Sequence, residues 1–137
     1  MPDTFELEIA TPERLLIKEN VTEAQIPAKE GYIGVLPGHA PLLSEMGTGP
    51  LTYVVNGQKR TLIVSGGFLE VLQTSARVLA TSAELPSEID RGRAEISLKR
   101  ATERLAAPAT AGVDVARALN ALKRAQARLA AAQQQNR

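Results

Sequence analysis

The sequence predicts a β + α chain: short antiparallel strands forming a sandwich or barrel up to about Ala83, then a two-helix antiparallel hairpin. Three observations carry this prediction. Residues 4–9 alternate strictly between apolar and polar, the period of a half-buried strand. Asn56-Gly57 lies between two β-branched runs, the strongest short signal for a two-residue type I′ turn. After Pro86 the apolar residues change to helical spacing, and alanine, arginine and leucine dominate.

Taken in order, the first segment puts Phe5, Leu7 and Ile9 on one face. Short apolar segments follow at 24–26, 32–36, 67–72 and 77–80, separated by Gly, Pro or polar residues. That punctuation suits an antiparallel sandwich or barrel of about eight to ten short strands. Pro86 ends the sheet. Ser87 suits the N-cap of the first helix, with Glu88 and Asp90 in its first turn where the helix dipole favours negative charge. Ala94, Leu98, Ala101 and Leu105 then form one helical stripe. Pro108 breaks that helix, Gly112 permits a turn, and Asp114 can cap a second helix in which Val115, Leu119, Leu122 and Leu129 share a face. The expected division is therefore 1–86 for the sheet domain and 87–137 for the hairpin.

Composition narrows the possible chemistry. Apolar residues make up 44% but aromatics only 3%, so the core must be built from Val, Leu, Ile and Ala. The chain has no cysteine, which removes disulfides, thiolate catalysis and Cys-based metal sites. No apolar run approaches the roughly 20 residues of a membrane span, and the N-terminus has neither a basic region nor an apolar stretch; the expectation is a soluble, intracellular protein. The net charge of +1 hides an asymmetry: residues 1–86 carry 6 Lys+Arg against 10 Asp+Glu, net −4, while residues 87–137 carry 10 against 5, net +5. Two surfaces of opposite sign point to different partners. Alanine at many hairpin contact positions buries little area, at about 25 cal/mol per Å², so the hairpin is expected to dock weakly on itself and on the sheet domain.

Catalysis finds little support in these residues. His39 is the single histidine and has neither a triad nor a ligand cluster around it. "LPGHAP" reads as a rigid turn, with two prolines fixing φ and Gly38 in a left-handed conformation. Gly66-Gly67 lacks the phosphate-loop pattern and the helix that should follow it, so a bulge or close strand packing is expected. No nucleophile–base pair or metal set can be assembled, and no metal is expected.

The stretch "SEIDRGRAE" at 87–95 admits two readings. In the first, Ser87 and Asp90 form a capping box and Arg93 is a helix former paired with Asp90. The second is a ligand site. At about 100° per residue, Arg93, Arg100 and Arg104 lie within about 80° of Asp90 on one helical face. Arginine forks bind phosphate oxygens in pairs, and an acid such as Asp90 would meet the base or ribose end of a nucleotide. In the second helix Arg117, Arg124 and Arg128 fall within about 40° of one another, about 180° from the Leu119–Leu122 stripe. If those leucines form the seam, the arginines point away from it, towards a ligand on another side or an acidic partner. A free-standing sandwich module with a basic hairpin for nucleic acid or an acidic protein is the alternative from a different class.

Four linked segments resemble the epsilon subunit of bacterial F-type ATP synthases: "GYIGVLPGHAPLL" at 31–43, "SGGFLEV" at 65–71, Ile89-Asp90-x-x-Arg93-Ala94, and "ALKRAQARLA" near the end of the second helix. The resemblance implies a ten-stranded N-terminal sandwich and a mobile two-helix C-terminal domain. It also implies a non-catalytic subunit of the central stalk that couples proton flow to ATP synthesis. Its partners would be the gamma subunit and the c-subunit ring and, through the extended helices, the catalytic beta subunit and alpha. Nucleic acid is not among them. The implied location is the cytoplasmic face of the inner membrane, as a peripheral protein without a transmembrane segment. The extended helices would inhibit ATP hydrolysis. No cofactor is obligatory, and ATP is the implied regulatory ligand, at Glu84, Ile89, Asp90, Arg93, Ala94, Arg100, Arg124 and Arg128. The ring-facing loop would lie around Glu30, Gly31 and Tyr32 and near His39; Tyr32 stands where some relatives carry an acid.

Overall fold

A computed structural model describes residues 3–108 and 111–135, with side chains as far as Ala132. The chain divides into two compact units, Met1–Glu84 and Leu85–Arg137.

The first unit holds ten strands: β1 (Phe5–Ala10), β2 (Leu15–Val21), β3 (Glu23–Ala28), β4 (Gly31–Val35), β5 (Leu42–Glu45), β6 (Thr48–Val55), β7 (Gln58–Ser65), β8 (Phe68–Val71), β9 (Ser75–Leu79) and β10 (Ser82–Glu84). They form two five-stranded sheets, ordered β2-β1-β9-β8-β5 and β10-β7-β6-β3-β4. All pairings are antiparallel except one: β1 runs parallel to β9, with Leu7 beside Ala76 and Ile9 beside Val78. A parallel pair needs a long connection, which the seven intervening strands supply.

The expected alternation appears directly in burial. Phe5, Leu7 and Ile9 are buried while Glu6 is exposed, and Leu69, Val71, Ala76 and Val78 extend the same face. Ala24, Ile26, Val35, Leu51, Leu62 and Val64 are among the buried residues of the second sheet. Among the described residues no polar or charged side chain is buried, so the core is aliphatic, with Phe5 and Tyr53 its two aromatics. Asn56 (φ 51°) and Gly57 (φ 77°) make the type I′ turn between β6 and β7. Gly67, at φ 96°, turns the chain into β8 so close to β9 that a Cβ there would overlap the Leu79 carbonyl oxygen. The glycine pair is thus a close approach of two strands, as expected.

Tyr53 sits opposite Arg60 in the β6–β7 register, and Arg60 reaches Glu19 on β2 of the other sheet at 3.5 Å. Burial holds the Tyr53 phenol above its ordinary pKa; the Glu19 carboxylate adds to this, and the charge and hydrogen bond of Arg60 partly offset it.

In the second unit, α1 (Arg91–Ala106) and α2 (Val115–Gln135) pack against each other. One expectation fails here. Ser87 does not cap α1, because Pro86–Glu88 forms a separate 3-10 turn in which Glu88 Oε1 accepts from the Leu85 amide at 2.9 Å. β-Branched Ile89 is extended, at φ −78° and ψ 122°, and interrupts the helical backbone. Asp90 is then the N-cap itself, accepting from the Arg93 amide at 3.0 Å. At the other end α1 stops at Ala106, ahead of Pro108. Gly112 takes φ 71°, and Asp114 caps α2 by accepting from the Arg117 amide at 3.1 Å.

The seam differs from the leucine stripe expected for α2. The buried residues of α2 are Ala118, Ala125, Ala131 and Ala132, while Leu119 is 42% and Val115 62% exposed. Leu122 and Leu129 are half-buried. In α1 the buried residues are Ala94 and Ala101, with Leu98 and Leu105 half-buried. Alanines seven residues apart on each helix let the two backbones approach, and the leucines flank them. Close approach of small side chains outweighs placing the bulkiest side chains at the centre.

Candidate functional site: a basic face on the helical hairpin

Moving the seam from leucine to alanine moves the arginines too. Measured from the alanine seam at about 100° per residue, Arg93, Arg100 and Arg104 lie about 70–110° to one side of α1. Arg117, Arg124 and Arg128 lie about 60–100° to the same rotational side of α2. They flank the seam, so the expectation that they stand opposite it is corrected. In an antiparallel pair, equal rotational offsets from the seam fall on one side of the hairpin, because reversing the second helix also reverses its handed relation to its partner. All six arginines therefore occupy one face.

A cavity of about 390 Å³ near the α1–α2 connection supports this placement. It is lined by Arg104 from α1 and by Gly112, Val113, Asp114, Arg117 and Ala118 from the other side. With Arg104 across from Arg117, antiparallel packing sets Arg93 across from Arg128, each eleven residues further along. At 1.5 Å per residue the basic face is about 16 Å long. Arg100 and Arg124 occupy its middle.

A signal that sequence reasoning missed explains the symmetry. Residues 90–106, "DRGRAEISLKRATERLA", repeat as 114–130, "DVARALNALKRAQARLA", with ten of seventeen positions identical. Asp90, Arg93, Arg100 and Arg104 match Asp114, Arg117, Arg124 and Arg128. The buried Ala94 and Ala101 match the buried Ala118 and Ala125, and the half-buried Leu98 and Leu105 match Leu122 and Leu129. An internal comparison at a spacing of 24 residues would have located both the seam and the face.

The residues expected at a nucleotide site fall as follows. Arg93, Arg100, Arg124 and Arg128 share the basic face. Asp90 is at its far end, its Oδ1 engaged in capping α1. Ala94 is in the seam at 2% exposure, where it sets helix spacing. Ile89 is half-buried in the turn before α1, and Glu84 ends β10 in the first unit. Arg104 and Arg117 join the face although the expected set omitted them. Guanidinium groups on both helices offer paired N–H donors to phosphate oxygens.

On the sandwich, Glu30, Gly31 and Tyr32 help line a hollow of about 590 Å³ between the β3–β4 turn and β5. Lys29 and Glu45 pair across its rim at 3.1 Å. Tyr32 is 51% and Leu43 73% exposed, and partial burial raises the Tyr32 phenol above its ordinary pKa. His39 is not part of this hollow. Its turn is held by the Gly38 amide donating to Gln73 O at 3.0 Å and the His39 amide donating to Leu36 O at 3.2 Å. Its Nδ1 contacts its neighbour Ala40 O at 2.6 Å. Gly38 is left-handed at φ 80°, so the rigid-turn reading of "LPGHAP" holds. Among the described residues no group of three His, Cys, Asp or Glu could hold a metal.

Residues 4–86 match the family model described as the beta-sandwich domain of the ATP synthase Delta/Epsilon chain, and residues 87–133 match its long alpha-helix domain. An ATP synthase epsilon chain from Solibacter usitatus (strain Ellin6076) is 59% identical over 114 residues, 83% of this chain and 84% of that one. Another, from Koribacter versatilis (strain Ellin345), is 48% identical over 105 residues, 77% and 74% of the two chains. Among solved structures, a chain in the cryo-EM structure of the Euglena gracilis mitochondrial ATP synthase OSCP/F1/c-ring superposes with a TM-score of 0.81 at 26% identity. The match covers 97% of this chain and 83% of that one.

Proposed function

The chain belongs to the ATP synthase delta/epsilon-chain family, as an epsilon chain, and from that premise we propose that its hairpin is an ATP-responsive brake on hydrolysis. As an epsilon chain it is a non-catalytic stalk subunit of the synthase, so the reading of a free-standing module is set aside. The subunit is part of a membrane-associated complex, and no helix among the described residues is long and apolar enough to cross a membrane.

The sandwich is the part that joins the rotor. It holds the gamma subunit and presents Glu30, Gly31 and Tyr32, with the His39 turn nearby, to the c-subunit ring on the cytoplasmic side of the inner membrane. The hairpin carries the regulation. The observation behind this is the single face bearing six arginines, drawn equally from both helices. A triphosphate bridging Arg93 and Arg100 on α1 to Arg124 and Arg128 on α2 ties the helices together, with Ile89 and Asp90 at the remaining contacts. ATP binding stabilises the closed hairpin by RT ln(1 + [L]/Kd) over any open state. When ATP falls, the hairpin opens, and Arg124 and Arg128 exchange phosphate for acidic groups on the catalytic beta subunit and alpha. The same cations serve both partners, so the two states exclude each other.

Calorimetric titration of ATP into the isolated chain tests the sensor. Saturable binding is expected, and Arg100→Ala with Arg124→Ala should weaken it at least about tenfold, since a charge-assisted hydrogen bond contributes about 1.5–3 kcal/mol. No binding at millimolar ATP removes the sensor and leaves the rotor role. In the assembled synthase, Arg124→Ala with Arg128→Ala should relieve inhibition of hydrolysis; unchanged inhibition refutes the latch.

A further inference from the structure

The ladder between β3 and β6 breaks beside the β3–β4 turn. The two strands pair as far as Gln25 opposite Thr52, and β3 next meets this segment where Ala28 bridges Met46. Residues 26 and 27 of β3 therefore face residues 47–51, two against five, which makes this an extended bulge. Pro27 accounts for the break, because it has no N–H to give to the ladder. Its carbonyl accepts from the Gly47 amide at 3.0 Å. Gly49, inside the bulge, brings no side chain to cover the gap. Tyr32 covers it instead. It stands directly opposite Pro27 in the β3–β4 register, and a Cβ added at Gly49 would come within 2.8 Å of the Tyr32 Oη and 3.8 Å of its Cζ. The same point lies 3.8 Å from the Pro27 Cβ. The ring thus lies against both residues, and both are buried.

We propose that Tyr32 is a positioning residue: its ring braces the β3–β6 bulge and so fixes the Lys29-Glu30 turn, with Glu30 exposed at the tip. The turn is two residues long, since Ala28 and Gly31 are paired, and Tyr32 follows one residue later. It sits on β4, the edge strand of the second sheet. A contact reaching past β3 to Gly49 ties that edge to the interior of the sheet. An aromatic side chain laid over a glycine supplies the apolar cover that glycine lacks and pins the strand register. The Lys29–Glu45 pair at the rim is exposed on both sides, and such surface ion pairs hold a turn weakly. The proposal deepens the ring-facing reading of this end of the sandwich and rests on it for the partner. The brace itself rests on the register and on the Gly49 contact. Labour is divided accordingly: Glu30 meets the c-subunit ring, and Tyr32 holds it in place.

Hydrogen exchange of the full chain reads the brace. Two amides report on it: Lys29, which donates to Glu45 O, and Gly47, which donates to Pro27 O. Tyr32→Ala should speed their exchange about two- to fivefold, as expected for loss of a cross-strand pair. Tyr32→Phe keeps the ring and should leave both unchanged. Gly49→Ala presses a methyl group against the Tyr32 Oη and should speed the same two amides. Adding Tyr32→Phe removes that oxygen and should rescue the effect, while any backbone strain at position 49 stays the same in both backgrounds. Exchange unchanged in Tyr32→Ala, or a Gly49→Ala effect equally large in the Tyr32→Phe background, overturns the brace. In the assembled synthase the readout is ATP-driven proton pumping relative to ATP hydrolysis in membrane vesicles. Tyr32→Ala should lower this ratio and Tyr32→Phe should preserve it. A loss with Tyr32→Phe would make the hydroxyl itself the contact and overturn the positioning role. Faster exchange in Tyr32→Ala with an unchanged pumping ratio leaves the brace standing and removes the ring-facing reading.

Discussion

Replacing Ala125 by leucine tests the alanine seam directly. Ala125 is fully buried at the middle of the buried series Ala118, Ala125 and Ala132, and its repeat equivalent Ala101 is buried at 2%. Three added carbons have no space between backbones brought together by methyl groups. Overpacking of this kind costs about 1–3 kcal/mol, which raises the undocked population of the hairpin about 5- to 150-fold. Native-state hydrogen exchange reads this site by site. Amides of α1 and α2 should exchange faster by that factor, while those of the sandwich strands stay as they were. If ATP ties the helices together, its affinity should fall once the undocked form becomes dominant. Ala101→Leu should behave alike, because the repeat gives it the same surroundings. Leu119→Ala is the control: at 42% exposure it should change exchange by less than about 0.5 kcal/mol. A silent Ala125→Leu beside a loosened Leu119→Ala would refute the alanine seam and restore the leucine stripe, and with it the arginines on the far side.

Gly67→Ala should lower the sandwich's stability by more than about 1–3 kcal/mol in denaturant unfolding, since it combines left-handed strain with the Leu79 carbonyl overlap. Gly57→Ala, with φ 77° but open space around it, should cost only about 1 kcal/mol. Asp114→Ala removes the α2 cap and should cost about 0.5–2 kcal/mol, seen as faster exchange in the first turn of α2. Tyr53 sets an alkaline limit: its folded pKa lies above the ordinary value, with burial the leading cause. Its contribution is therefore complete below pH 10 and is lost as pH rises through the folded value. Tyr53→Phe should flatten that limb in unfolding curves measured from pH 8 to 12, and an unchanged limb would assign it to other groups.

The sandwich was legible because a strand facing one core writes its period into the chain. Phe5-x-Leu7-x-Ile9 and Asn56-Gly57 each fix local geometry without help from distant residues. β2, β5 and β10 had no such mark; β2 and β10 hold their places by pairing with β1 and β7, and β5 by pairing with β8. The parallel β1–β9 pair depends wholly on tertiary position and has no local signature. In the hairpin, helical spacing correctly gave two helices and the Asp114 cap, but size was weighed above fit. Alanine carries little hydrophobic weight in a periodicity count, yet it governs how closely two helices pack. That misplacement alone turned the second row of arginines to the wrong side. Ser87 misled for a different reason: both it and Asp90 can cap, and the choice fell to the extended Ile89 between them.

The position of β1 sets an order of events in the making of the chain. It lies between β2 and β9, so the earliest of these ten strands has one neighbour at once and must wait for residues 75–79 to gain the other. The first sheet therefore cannot close until nearly all of the first unit has left the ribosome, and such distant pairings form slowly, in about milliseconds to seconds. The two helices join neighbours along the chain, as in helical bundles that fold in about microseconds to milliseconds. The later-made half can thus finish before the earlier one, and Leu7 and Ile9 on β1 remain exposed to misassociation for longest.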